Sequence, residues 1–290
     1  MNKGRLFTFG CSYTGWRWPT WADIVGREFT EYQNWGREGG GNQFIFHSVV
    51  EANQRNKFTP DDTVLIMWTS LDREDRYLRN SWYTYGPVYG NHFHPREWVK
   101  KFSDDRWYAI RDLTCMSAVR DLLNSWGVKY KFMSMISFDV YKDLASEPIS
   151  DVYELFKDVL AEVKPGFVDT MFNFDMHSRF SEEEYAFYAG SDWPSHSDFM
   201  NGANGTIPEI IKEITEFRQN YLAPFDYKNH TPTQRDPHPR PIDHLEFIEH
   251  ALPEYTISQS TKDWVKQCQT KVAHREEYFP ELDKNKPHRF

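Results

Sequence analysis

The stretch "FTFGCSYTGW", residues 7–16, ends a short apolar run in Gly10, Cys11, Ser12 and Thr14. A hydroxyl where a buried strand ends is either an ordinary turn residue or a nucleophile held out for reaction. Far along the chain, "RDPHPRPIDH" (235–244) sets Asp236 two residues before His238, with prolines on both sides of the histidine. A serine hydroxyl attacks only when a base removes its proton. A neutral imidazole can do that, and a carboxylate can fix its tautomer. His238 is the candidate base, Asp236 its orienting acid, and His244 a lesser candidate for the base. The glycine turn from Gly36 to Asn42, "GREGGGN", can aim backbone N–H groups at a developing oxyanion, with Asn42 at its end as a substrate-binding candidate. Thr69 and Ser70 close another apolar run. Arg73 follows them as a residue able to grip a carboxylate or other anionic part of a substrate, its plain alternative being a surface ion pair with Asp72 and Glu74.

These residues need elements to position them. "RLFTFG" (5–10), "YQNWG" (32–36), "DDTVLIMWTS" (61–70) and "GVKYKFMSMIS" (127–137) read as strands. "PTWADIVGREF" (19–29), "GGGNQFIFHSVVEANQR" (39–55) and residues 106–126 read as the helices between them. Strand and helix alternate, which implies an α/β fold: a three-layer α/β/α sandwich with a parallel, flavodoxin-like sheet. In such a sheet ligands bind at the carboxyl ends of the strands, where these polar clusters fall. The expected organisation is one domain over residues 1–270, with insertions at about 74–104 and 140–230 and a charged C-terminal arm over 271–290. The first insertion is rich in aromatics without a clean period and reads as a candidate lid. The second holds helical patterns at 151–163 and 207–222. "PIDHLEFIEHAL" reads as a late helix beginning near His244.

The ordered set resembles the SGNH (GDSL-like) hydrolase family. "FGCSYT" supplies Gly10 and Ser12 of its first block, with Cys11 in place of the acid. "NWGREGGGN" matches its second block, and the resemblance implies Gly39 as the oxyanion glycine. "MWTSLDRED" departs from its third block: it has no asparagine, and Ser70 or Thr69 takes that place. "DPHPRPIDH" supplies the Asp and His of the last block, one residue closer than the commonest spacing. The resemblance implies a serine esterase hydrolysing an O-acyl ester without a cofactor. An alternative is an acyltransferase to a sugar using the same triad. Another is an inactive binding or structural protein on the same fold.

Composition narrows the substrate. The net charge of −9 shows no basic stripe for nucleic acid. No long apolar run and no leader-like N-terminus is visible, so the expectation is a cytoplasmic protein apart from the membrane. Cys11, Cys115 and Cys268 are too scattered for a disulfide framework or thiolate zinc site, and the His-x-His of "NHFHP" (91–95) lacks a clear third ligand. Aromatics make up 17 % of the chain, more than a core needs. Trp16 and Trp18, just beyond Ser12, are therefore expected to wall a cleft, and a carbohydrate ester or other small-molecule ester is the expected partner. The sequence leaves the acyl group, the alcohol and the oligomeric state open.

Overall fold

In a computed structural model, residues 4–88, 94–139, 142, 148–172, 238–273 and 279–287 are described. Five strands form one sheet: β1 (Arg5–Phe9), β2 (Glu31–Asn34), β3 (Thr63–Trp68), β6 (Lys129–Ser134) and β7 (Val163–Gly166). Their order is β2-β1-β3-β6-β7 and every pairing is parallel. This is the doubly wound order 2-1-3-4-5, whose direction reverses between β1 and β3. A separate antiparallel hairpin joins β4 (Arg73–Leu78) to β5 (Ser81–Pro87).

The period-two alternation of the strands divides the core. Phe7, Phe9, Val64, Ile66, Trp68 and Phe132 point to one face. There they meet α2 (Asn42–Asn56) and α4 (Asp105–Trp126) through Phe44, Ile45, Val49, Leu113 and Met116. Leu6, Leu65, Met67 and Met133 point to the other face. There they meet α1 (Trp21–Gly26), α7 (Phe167–Phe172), α8 (Pro241–Ala251) and α9 (Gln259–Ala273). A sheet covered on both sides is why "TVLIMW" is a continuous apolar run. The remaining helices are α3 (Arg96–Phe102), α5 (Ser150–Leu155), α6 (Lys157–Glu162) and α10 (Pro280–Asp283).

Several elements differ from the sequence reading. The helix expected over 151–163 is two short helices, and a fifth strand follows at once. That strand is four residues long and contains Pro165, which suits a sheet edge and leaves little periodic signal. The aromatic stretch after residue 73 contains the hairpin. Its second strand is half-buried along nearly its whole length, so no two-face alternation is visible. Three bonds tie the hairpin to the glycine turn: Gly86 N–H to Gly39 O at 3.0 Å, Arg37 Nη2 to Trp82 O at 2.6 Å, and Thr84 Oγ1 to Glu38 O at 2.7 Å. The stretch read as a candidate lid is thus docked at this point.

Residues 279–287, expected in a peripheral arm, lie against the domain. Phe279 and Leu282 are buried with Trp16, Trp18, Cys268 and Val272, and the Asn285 carbonyl accepts the Asn34 N–H at 2.8 Å. Most of 140–230 lies outside the described residues, including the helix expected at 207–222. Among the described residues no helix is long and apolar enough to cross a membrane.

Candidate active site

The first question is why β1 ends in glycine. A Cβ at Gly10 would stand 2.1 Å from Thr14 Oγ1 and 2.9 Å from the Met67 carbonyl, so only glycine fits. The chain then turns tightly, with Cys11 O accepting the N–H groups of Thr14 and Gly15, each at 3.0 Å. Cys11 points into the core, where its Sγ lies 3.7 Å from Met135 Sδ. Ser12 follows on the turn, 6 % exposed. Among the described residues no hydrogen bond ties down its hydroxyl.

Trp16 and Trp18 do not wall a cleft; both are buried. The Trp16 ring stacks on His238 with centroids 3.6 Å apart and planes 20° apart. Trp18 Nε1 donates to the Pro239 carbonyl at 2.8 Å. The two indoles meet edge to face at 6.0 Å, and Tyr13 lies 6.0 Å from the His238 ring. The tryptophans beyond Ser12 are therefore the mount for the turn that carries His238. Half-buried His238 is held against the loop of Ser12 by residues more than 200 positions away in sequence. Asp236 lies outside the described residues.

His244 belongs to the first turn of α8 and faces inward, 1 % exposed, with its ring 5.0 Å from Phe167. Burial and then the nearness of His238 push its pKa down to about 3, against a smaller opposite effect of the Pro239 carbonyl. It is a neutral ring in the core, and its Nδ1 has no hydrogen-bond partner among the described residues.

The other candidates gather at the ends of the glycine turn and β3. Asn42 is fully buried. Its Oδ1 accepts the Thr69 N–H at 2.9 Å, and its Nδ2 donates to Asp112 Oδ2 at 2.9 Å and to Thr69 O at 3.1 Å. Asn42 thus joins the start of α2 to the end of β3 and to α4, and its donors are spent inside the protein. Thr69 is buried too, its N–H engaged by Asn42 and its hydroxyl 3.7 Å from Met135 Sδ. Ser70 Oγ accepts the Arg73 Nε–H at 2.9 Å. Gly39 has φ of 69°, and a Cβ there would lie 2.0 Å from the Thr84 carbonyl. Its missing side chain makes room for the hairpin. The N–H groups of Ser12 and Gly39 have no backbone partner among the described residues.

Sequence reasoning missed the charged network beneath these turns. Asp75 accepts the N–H groups of Gly41 at 2.9 Å and Phe44 at 2.8 Å, at the start of α2. Arg111 pairs with Asp112 at 2.6 Å and with Glu74 at 3.4 Å. Burial pushes the carboxyls of Asp75 and Asp112 up to about 6 despite their cationic neighbours. One signal was present: Asp112 stands midway between Tyr108 and Met116 on the buried stripe of α4, where a charge must have a partner. Met135 was missed as well. Its Sδ touches Cys11 Sγ, Thr69 Oγ1 and Arg73 Nη2, and so joins the β1 turn to the β3 turn.

Among the described residues no group of three or more His, Cys, Asp or Glu is placed to hold a metal ion. A cavity of about 530 Å³ lies near the ends of β6 and β7, between Ser134, Ser137, Asp139, Tyr153 and Asp169. None of the residues singled out from the sequence lines it.

No protein-family model matches the chain. No curated protein matches it either. Among solved structures it is similar to a member of the lipolytic protein G-D-S-L family from Veillonella parvula DSM 2008, at 18 % identity over 62 % of this chain and 87 % of that one, with a TM-score of 0.35.

Proposed function

We propose that the protein is a serine esterase acting on an O-acyl ester. Ser12 is the nucleophile and His238 the base, with Asp236 as the residue that orients His238. One observation carries the reading: His238 is stacked on Trp16, four residues beyond Ser12, on the turn at the β1/β3 reversal of the sheet. That is where an open α/β sheet collects its ligands. Ser12 Oγ would bond to the acyl carbon as His238 takes its proton. The imidazolium would return that proton to the departing alcohol oxygen as the carbon–oxygen bond breaks. Water would then release the acid by the same steps. The N–H groups of Ser12 and Gly39 are the donors left to meet the oxyanion, since that of Thr69 is engaged. Trp18, Trp21, Trp35 and Trp68 are spent in the core and add no surface for a carbohydrate.

A binding protein on the same frame is the second reading, favoured by the inward commitment of Asn42, Thr69 and Ser70. The two are separated by labelling with a serine-directed fluorophosphonate and by turnover of a small aryl ester. The esterase is expected to be labelled at Ser12, and Ser12→Ala to lose labelling and on the order of 10⁴ in rate while melting like the parent. Turnover by Ser12→Ala within about tenfold of the parent would remove Ser12 from the chemistry.

A further inference from the structure

Among the described residues Arg73 makes no ion pair at contact distance, and the carboxylates of Asp72 and Asp75 act on it only through space. It is 6 % exposed, and burying a guanidinium is unfavourable unless an anion compensates. Its contacts are neutral: Nε to Ser70 Oγ at 2.9 Å, Nη1 to the Gly40 carbonyl at 3.0 Å, and Nη2 to Met135 Sδ at 3.5 Å. No acid touches it: Glu74 pairs with Arg111 and Arg76, Asp112 with Arg111, Asp75 accepts two backbone N–H groups, and Asp72 and Asp75 act on Arg73 only through space.

A guanidinium has five N–H donors. Three are used here, which leaves one on each terminal nitrogen. Two such donors on one planar fork match the two oxygens of a carboxylate. The nearby Asp72 and Asp75 oppose a dianion more than a monoanion, so a carboxylate suits the place better than a phosphate. The position is also telling. Met135 Sδ bridges Arg73 Nη2 and Cys11 Sγ, so the guanidinium stands one side chain away from the residue before Ser12.

We infer that Arg73 binds a carboxylate of the substrate, and that the ester attacked by Ser12 is a small one with this carboxylate close to the reacting carbonyl, such as the half ester of a short dicarboxylic acid. The word ester rests on the function proposed above; the carboxylate site does not. The probe is therefore levulinate, a monocarboxylate with a ketone where such a half ester has its ester carbonyl, titrated calorimetrically into the full chain. Parent and Ser12→Ala are expected to bind it saturably, and inorganic phosphate at least about tenfold more weakly. Arg73→Gln is expected to lose about 30-fold or more in affinity, and Arg73→Lys, which keeps the charge but not the fork, about tenfold. If Arg73→Gln does not fold, the parent and Arg73→Lys decide. No saturable binding by the parent, equal affinity in the folded Arg73 variants, or tighter binding of phosphate overturns the inference. The second arm compares mono-4-nitrophenyl succinate with 4-nitrophenyl butyrate. The parent is expected to prefer the succinate in kcat/KM, and Arg73→Gln to lose about 30-fold of that preference. Binding of levulinate without turnover of either ester keeps the carboxylate site and sinks the esterase. Turnover without the preference keeps the esterase and sinks the carboxylate site.

Discussion

The turn after β1 and the turn after β3 share one edge of the sheet and are held by opposite means. Around Ser12 the fixing contacts are rings: Trp16 on His238, Trp18 on Trp16, Tyr13 beside both His238 and Phe167. Around Thr69 they are polar atoms spent on one another, Asn42 on Thr69 and Asp112, Ser70 on Arg73. Ring contacts make no claim on a hydroxyl, and among the described residues nothing bonds that of Ser12. A closed polar network gives a rigid floor but few donors, and those of Arg73 are the exception. Under the proposed function the first turn reacts, and the second supports it and holds a charge.

The comparison breaks first at the histidines. His238→Asn is expected to lower turnover of an aryl ester by about 10³ or more, since the proton acceptor is gone. His244→Asn, behind it in the core, is expected to lose far less rate and to show itself in the melting temperature. A dead His244→Asn beside an active His238→Asn would put the base in α8 and the ring-built mount to some other use.

Asn42→Ala tests the supporting turn. It strands the Thr69 N–H and one oxygen of Asp112 in a dry interior, at about 1–3 kcal/mol for each unmet group. A loss of about 3 kcal/mol in urea denaturation is expected. A loss below about 1 kcal/mol would mean that the polar floor is not what holds the turn.

Much of this frame was legible in advance, for physical reasons. Strands covered on both faces must be apolar throughout, so β1 and β3 stand out. Helices between them carry a 3.6-residue stripe, and residues 106–126 match α4 within one position. Ser12 and His238 were visible because a serine at a strand end and a histidine between prolines are unusual in themselves. The role of the tryptophans was not, because the Trp18 bond to Pro239 spans 221 positions and no local pattern encodes it. The docking of the hairpin on Gly39 was not legible, because a glycine reports missing bulk and not what fills the space. The strand β7 was hidden by its length and its proline.

Acid sharpens the contrast between a buried ring and a buried acid. His244 is held near pKa 3 in the fold, against about 6.5 unfolded. As pH falls below 6.5 the unfolded chain takes up a proton that the native chain refuses, so stability is lost from pH 6.5 toward 3. Asp75 and Asp112, raised to about 6 from near 4, act in reverse and remove stability as pH rises from 4 to 6. The histidine is isolated by subtracting His244→Leu. Between pH 7 and 5 the parent is expected to lose about 2 kcal/mol relative to that variant. Parallel pH curves would show that His244 protonates in place.

The smallest effect is the most specific to the mount. Trp18→Phe keeps a large ring beside Trp16 but removes the Nε1–H that holds the Pro239 carbonyl at 2.8 Å. One net hydrogen bond is worth about 1 kcal/mol, and urea denaturation should show that loss. If this bond also sets where His238 stands, kcat should fall about fivefold with KM unchanged, because the substrate meets the same pocket and only the base has moved. The acidic limb of the pH–rate profile should stay in place, since the bond reaches the Pro239 backbone and not the imidazole. A variant that loses stability but keeps its full kcat would show Trp18 to be packing alone. The ring of Trp16 would then position His238 without help from its neighbour.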